Sequence, residues 1–474
     1  MSRLNLVELA RGRTVHFMGI GGAGMTPLAS MLLRAGVRVT GCDAHASAGM
    51  RALAAAGAEV WQGHDPAHVQ ECAAVVVTAA VPADHPELAA ARAAGIPVLK
   101  RAEALGGIVN RGLVVAIAGT HGKTTTTTLT TAVLAAAGLD PTGFVGARVP
   151  AWDGNLHPGG DRLYVVEADE YDRSFLTLHP GIAVVTTLEA DHLDVYGTVE
   201  AIEEAFAELA DRVPDDGMVA CCVDDPGAAR LMARLRDGNG LRVVGYGTAE
   251  GAAYRAEDVE LSGDGSTFGV VERGIHLGRA TLSIPGLHNV RNALAAVAVG
   301  RRLGAEWDAV AAGLASFSGV ERRFERIGEA AGVLVIDDYA HHPTEIDATL
   351  RAARASHSGR RLVAVFQPHL FTRTRDFHPQ FGQALALADR VFVTDIYAAR
   401  EAPIPGVTGE LVANAAREAG ASVEYVVDRA EIVDRVAAEL RPGDVCITLG
   451  AGNLDAAARD LVAALSAGGA EVAR

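Results

Sequence analysis

The chain has 474 residues, of which 49% are hydrophobic and 21% charged, and a formal net charge of −16. That length exceeds what one hydrophobic core serves, so about three domains are expected. The composition excludes a disordered chain, and the acidic balance excludes broad binding to nucleic acid or anionic membrane, because both need a positive field.

The first expected block opens with an apolar run at 14–18, a glycine turn, a helix over 26–35 and a strand at 37–40, which together form a βαβ unit. Strands at 74–78 and 97–99 complete a small parallel sheet. Gly106 and Gly107 stand near its end, and a boundary is expected near residue 108. Gly19, Gly21 and Gly24 form GxGxxG between strand and helix, with Gly22 inside the turn and Asp43 19 residues past Gly24. Such glycines let backbone approach a pyrophosphate at a helix N-terminus, and the carboxylate can accept from a ribose hydroxyl. The pattern does not separate NAD from UDP, and alone it also fits a dehydrogenase.

The second block starts with a strand at 113–118, then the loop Gly119-Thr120-His121-Gly122-Lys123-Thr124-Thr125 and a threonine-rich helix. This resembles a phosphate-binding P-loop shortened at its first glycine, since Ile117 stands where GxxxxGK[ST] has glycine. Lys123 would reach β and γ oxygens, and the Thr124 hydroxyl would face Mg²⁺. Of the 42 basic residues only Lys100 and Lys123 are lysine. A compact ammonium in that loop is therefore suggestive. Acidic turns follow expected strands at 163–166 and 182–187: Glu167-Ala168-Asp169-Glu170 and Glu189-Ala190-Asp191-His192. Glu167 with Thr124 makes a sensible hard-oxygen set for Mg²⁺. His192 reads from the residues alone as a cap or hydrogen-bond partner. Short strands and hairpins over 243–282 precede a helix over 289–303, which Asn289 could cap, and a polar junction at 318–323.

The third block alternates again, with strands at 333–336, 362–366, 390–394 and 444–449. It carries Asp337-Asp338-Tyr339-Ala340-His341-His342 and Phe366-Gln367-Pro368-His369, followed by Arg373. An arginine at a strand edge suits a carboxylate, and the paired histidines lack zinc spacing. Three α/β domains in series are expected: 1–108, 109–321 and 322–474. The five cysteines lack CxxC spacing and read as small hydrophobes. Neither a signal peptide nor an apolar run long enough to span a bilayer is read, so a cytoplasmic protein is expected.

Taken in order, GIGGAGM, GTHGKTTT, EADEYDRSFL, EADHLD, PGLHNVRNALAA, RRF, DDYAHHPTEI, FQPH and GAGN make the chain resemble the Mur ligase family over nearly its whole length. The resemblance is to those members that join L-alanine to UDP-N-acetylmuramate in peptidoglycan synthesis. It implies a Rossmann-like UDP-binding domain, a central P-loop-type ATPase domain and a C-terminal Rossmann-like domain that helps bind the amino acid. It implies ATP as substrate and Mg²⁺ as cofactor, UDP-N-acetylmuramate and L-alanine as partners, and a monomer or weak homodimer. By the same resemblance Gly19, Gly21, Gly22, Gly24, Asp43 and Thr78 hold the UDP sugar. Gly119 to Thr125, Asn289, Asn292, Arg323 and Asp338 bind ATP, with Asp338 near the ribose. Thr124, Glu167 and His192 hold metal. Tyr339, His341, His369 and Arg373 surround L-alanine, and Lys123, Glu167, His192, His341 and Arg373 are the catalytic set.

Relatives that use a carbamylated lysine after the second acidic turn have no counterpart here, and Glu203 or Glu204 is expected in its place. The motif EADEY also occurs in ligases that recycle a tripeptide onto UDP-N-acetylmuramate, which stand as the alternative. A non-catalytic nucleotide-binding protein is a further one.

Overall fold

The computed structural model describes residues 4–78, 80–236, 243–263, 265–399 and 401–472. Strand and helix alternate as expected, and the strands fall into three sheets. The first contains β1 (Thr14–Met18), β2 (Arg38–Asp43), β3 (Glu59–Gln62), β4 (Cys72–Val77) and β5 (Val98–Lys100) in the order β3-β2-β1-β4-β5. All of its pairings are parallel. The order reverses direction at β1, and ligand crevices form at such switch points, outside the strand C-termini.

The second sheet contains β6 (Leu113–Ala118), β7 (Thr142–Val149), β8 (Gly154–His157), β9 (Leu163–Glu167), β10 (Ile182–Val185), β11 (Met218–Cys222), β12 (Val243–Gly247), β13 (Tyr254–Ser262), β14 (Gly265–Glu272) and β15 (Ile275–Leu282). Its order is β15-β14-β13-β12-β11-β10-β6-β9-β7-β8. β6, β9 and β10 are runs of buried apolar residues, as parallel strands covered on both faces must be. β6 lies between β9 and β10, so its C-terminal end is a second switch point.

The third sheet contains β16 (Glu325–Ala330), β17 (Val333–Asp338), β18 (Leu362–Phe366), β19 (Arg390–Thr394), β20 (Val423–Val426) and β21 (Val445–Leu449), ordered β16-β17-β21-β18-β19-β20. Only β16, at the edge, is antiparallel. Alternate residues feed opposite cores. Leu334, Ile336, Ala364 and Phe366 enter one, while Val333, Val335, Val363 and Val365 enter the other.

Contacts divide the chain into two compact units, 1–256 with 270–278 and 291–316, and 257–269 with 279–290 and 317–474. Residue 108 is not a gap in contacts. Gly106 and Gly107, noted in the sequence near the end of the first block, lie buried inside the helix Arg101–Val109. Their lack of a side chain allows close packing: a Cβ on Gly106 would stand 2.6 Å from the Thr177 carbonyl oxygen. Asn110 donates to that same oxygen at 2.9 Å, and Thr177 Oγ1 donates to the Ala102 carbonyl at 2.9 Å.

The helix Lys123–Ala136 contains eight consecutive residues, 124–131, of which seven are threonine, all buried. Threonine is a poor helix former, but here hydroxyls bond back to carbonyls four residues earlier: Thr127 to Lys123, Thr128 to Thr124 and Thr131 to Thr127, at 2.8–2.9 Å. The second helix of note, Leu287–Arg302, begins before Asn289. Asn289 is therefore inside it and not at its cap, with its amide donating to the Pro285 carbonyl at 2.8 Å.

Candidate active site

The loop after β6 turns on two glycines. Gly119 has φ +133° and Gly122 φ +80°. A Cβ on Gly119 would lie 2.0 Å from Thr186 Oγ1, and one on Gly122 2.7 Å from Asn292 Oδ1. The loop is fixed to the segment after β10: Thr120 N–H donates to the Thr187 carbonyl, His121 N–H to Thr187 Oγ1, and Glu189 N–H to Thr120 Oγ1, at 2.8–3.0 Å. Thr125 is buried in the first turn of the following helix. The loop is thereby shaped before any phosphate arrives, and the helix N-terminus behind it attracts anions.

Lys123 curls back over this loop. Its Nζ donates to the Gly119 carbonyl at 2.6 Å, the Thr120 carbonyl at 3.1 Å and Glu170 Oε1 at 2.9 Å. Sequence reading grouped Glu170 with the acidic turn but gave it no role. It is almost wholly buried, and burial pushes its carboxyl up to about 7, with Asp169 adding to the rise and Lys123 opposing it. Burial alone would lower Lys123, yet Glu170, Asp169 and Glu167 together hold its ammonium above the usual range. The other lysine addresses the same turn, since Lys100 pairs with Asp172 at 2.8 Å.

Thr124 Oγ1 donates to Glu167 Oε1 at 3.0 Å, and Gly146 N–H donates to Glu167 Oε2 at 2.8 Å. A hydroxyl and a carboxylate at adjacent C-terminal strand edges form a hard-oxygen set that fits Mg²⁺. His192 stands instead against Glu170, with Nε2 3.9 Å from Oε1, and against Asp191 at 3.8 Å. Its backbone is left-handed at φ 51°, and its ring meets Tyr171 edge-on at 5.1 Å. Glu203 and Glu204, expected in place of a carbamylated lysine, lie in the helix Val199–Ala210. They pair with Arg230 at 2.6 Å and Arg234 at 2.7 Å, arginines of the neighbouring helix Pro226–Arg236.

In the first sheet Gly19 turns at φ +80°, and its N–H and that of Ile20 donate to the Cys42 carbonyl at 2.8 and 3.1 Å. Gly22 N–H donates back to Gly19. A Cβ on Gly19 would lie 2.6 Å from Thr78 Cγ2, so Thr78 borders the turn, and one on Gly24 would lie 3.0 Å from Arg101 Cδ. Asp43 stands beside the glycine turn. Its Oδ2 accepts from Gly21 N–H at 3.0 Å and its Oδ1 from His45 N–H at 3.3 Å, so it first braces the glycine turn. Arg101, unnoticed in the sequence, is the cation nearest Gly24, and it also lies 3.8 Å from Asp169.

In the second unit the four residues expected around an amino acid do come together. The His341 ring meets Tyr339 at 5.1 Å and His369 at 5.9 Å, and Arg373 Nη1 lies 3.4 Å from His369 Nδ1. Leu370, between these groups, is held at φ +70°, a strained value for a branched residue. Arg323 lies over the Tyr339 ring at 5.0 Å. Both oxygens of Asp338 are engaged by backbone, Oδ2 by Phe324 N–H at 2.7 Å and Oδ1 by Ala340 N–H at 2.8 Å. Burial pushes its carboxyl up to about 6 against the pull of Arg323. Asp338 therefore braces the turn that carries Tyr339. Arg322, also unassigned in the sequence, ties Asp337 at 2.9 Å to the carbonyls of Gly452 at 3.0 Å and Gly450 at 2.5 Å.

Three matches to described domains cover the chain: the Mur ligase family, catalytic domain, over 14–112; the Mur ligase middle domain over 117–300; and the Mur ligase, glutamate ligase domain, over 322–452. A UDP-N-acetylmuramate–L-alanine ligase of Acidothermus cellulolyticus is 48% identical, the match covering 93% of this chain and 92% of that protein. The solved UDP-N-acetylmuramate-alanine ligase of Thermotoga maritima has a TM-score of 0.78 at 27% identity, covering 96% of this chain and 100% of that one. A murein peptide ligase from Psychrobacter arcticus has a TM-score of 0.67 at 26% identity, covering 96% and 99%.

Proposed function

The chain belongs to the Mur ligase family, and from that membership we propose that it joins L-alanine to the lactyl carboxylate of UDP-N-acetylmuramate at the expense of ATP, in peptidoglycan synthesis. Near-full-length identity of 48% to an alanine ligase supports this reading over tripeptide recycling. The observation that carries the chemistry is the phosphate loop after β6, with Lys123 over it and the Thr124–Glu167 pair beside it.

In this reading 1–108 carries the UDP sugar, 109–321 ATP and 322–474 the amino acid. The lactyl carboxylate attacks the γ-phosphorus, the bond to the β,γ-bridging oxygen breaks, and ADP leaves. The amine of alanine then adds to the acyl phosphate, and the tetrahedral intermediate expels phosphate. Gly119 to Thr125 cradle the nucleotide phosphates through backbone N–H groups, and Lys123 exchanges loop carbonyls for phosphate oxygens as charge moves to the leaving group. Thr124 and Glu167 would hold Mg²⁺, which would supply electrostatic neutralisation of the transferring group, while His192 stands beside Glu170, the carboxylate that pairs with Lys123. Asn289 and Asn292, on the helix Leu287–Arg302, approach adenine. Arg373 takes the carboxylate of alanine, and His341 or His369 receives the ammonium proton before attack.

Phosphate release from ATP with Mg²⁺ and UDP-N-acetylmuramate, with mass detection of product, tests this directly. Turnover with L-alanine and the matching mass gain is expected. Turnover only with L-alanyl-γ-D-glutamyl-meso-diaminopimelate would move the chain to recycling, and none with either would end the ligase reading.

A further inference from the structure

Beneath the glycine turn of the first sheet, five elements converge on a group of side chains that phosphate binding does not use. His16 comes from β1, Cys42 from β2, His64 from the segment after β3, His68 from the turn Pro66–Val69 and Glu87 from the helix Pro86–Ala93. Cys42 Sγ lies 3.4 Å from His16 Nε2 and 3.3 Å from Glu87 Oε2. His68 Nδ1 lies 2.9 Å from Glu87 Oε1. One donor atom from each of His16, Cys42, His68 and Glu87 can be chosen so that all lie within 4.8 Å of one another. His64 Nδ1 stands at 3.2 Å from Cys42 Sγ and 3.0 Å from Glu87 Oε2.

We propose that His16, Cys42, His68 and Glu87 form a structural zinc site, with His64 as a fifth donor within reach. Tetrahedral zinc with bonds of about 2.0–2.3 Å places its ligand atoms about 3.3–3.6 Å apart; the contacts of Cys42 Sγ to His16 and Glu87 already have that spacing, and the remaining donor atoms, within 4.8 Å of one another, would draw closer around the ion. Imidazole and thiolate donors select zinc over magnesium or calcium. One thiolate and one carboxylate balance the ion's two charges, which makes burial tolerable. The outer shell is also built. His16 Nδ1 bonds Thr40 Oγ1 at 2.9 Å, turning Nε2 toward Cys42, and Asp65 N–H donates to Glu87 Oε1 at 2.9 Å. His16, Cys42 and Glu87 are sealed from solvent, while His64 and His68 are partly exposed and give the ion an entry path.

The position gives the site a purpose. The Cys42 carbonyl accepts the Gly19 and Ile20 N–H groups, and neighbouring Asp43 accepts that of Gly21. An ion bound to Cys42 would fix the strand that holds the phosphate-facing turn in shape.

The test uses the full chain without nucleotide, stripped with a chelator and reloaded. One zinc per chain is expected by elemental mass spectrometry, and Co²⁺ should give a thiolate-to-cobalt charge-transfer band. Zinc addition to the stripped chain should change the fluorescence of Trp61, whose ring stacks on His68 at 4.3 Å. Cys42→Ser should abolish the cobalt band, and the partly exposed His68→Gln should weaken zinc at least about tenfold while keeping the band. If Cys42→Ser does not fold, the wild-type band and His68→Gln decide. Absence of both zinc and the cobalt band in the wild type would overturn the site, as would unchanged zinc affinity in His68→Gln.

Discussion

At the residue scale, Glu170 sets a pH dependence of definite sign. Its folded carboxyl sits at about 7 against an ordinary 4.5, so between those values the folded chain holds a proton that the unfolded chain has lost. Stability from this group is full below about pH 4.5 and is lost as pH rises through about 7. Glu170→Gln should therefore flatten the fall in ligand-free stability over that window by on the order of 1–3 kcal/mol. Denaturant midpoints measured from pH 4.5 to 7.5 check it, and an equally steep fall in the variant would exclude Glu170 as the source. Gly119 gives a second prediction at this scale. Alanine there meets both an unfavourable φ of +133° and a 2.0 Å approach to Thr186 Oγ1. Gly119→Ala should cut ATP turnover by more than about 100-fold, as expected where displaced backbone donors no longer meet developing charge, while UDP-N-acetylmuramate binding by calorimetry stays within about threefold.

At the element scale, the threonine helix separates satisfied from unsatisfied hydroxyls. Thr131 Oγ1 bonds the Thr127 carbonyl, whereas Thr130 Oγ1 is buried with no hydrogen-bond partner. Replacing an unsatisfied hydroxyl with a methyl removes a desolvation cost, so Thr130→Val should stabilise by about 1 kcal/mol. Thr131→Val should lose about 1 kcal/mol by giving up its bond. Equilibrium unfolding of both variants measures the contrast, and like signs would refute it.

This scale also shows what the sequence revealed. The three strand–loop–helix junctions were legible because glycine, lysine and acidic residues stand at fixed offsets after apolar runs. The lysine–Glu170 pair was not, because the chain brings residues 123 and 170 together only through a helix, the antiparallel pair β7 and β8, and β9. The cluster of His16, Cys42, His64, His68 and Glu87 has no spacing motif at all, and only the parallel order β3-β2-β1-β4-β5, with the helix Pro86–Ala93 between β4 and β5, assembles it. For that reason Cys42 read as a small hydrophobe. Asp43 and Asp338 were singled out as ribose contacts, and the backbone N–H groups that each of them also engages are nothing that sequence can show.

At the scale of the whole molecule, a chain of net charge −16 is proposed to bind two anionic substrates. Its long-range field repels them, so attraction must come from short-range groups: helix N-termini, backbone N–H groups, Lys123 and Arg101. The two contributions respond oppositely to salt. The Debye length falls from about 30 Å at 0.01 M to about 8 Å at 0.15 M, which removes most of the long-range repulsion. A partly buried ammonium in an ion pair, as Lys123 is with Glu170, is screened much less. At constant free Mg²⁺, the KM for ATP should thus stay within about twofold or fall across that range of ionic strength. A protein that steers its nucleotide with a broad basic surface behaves the other way, with KM rising steeply as salt weakens capture. A more than about tenfold rise here would mean that the chain's many arginines act as a collective field and that the local groups around the phosphate loop are not sufficient for binding.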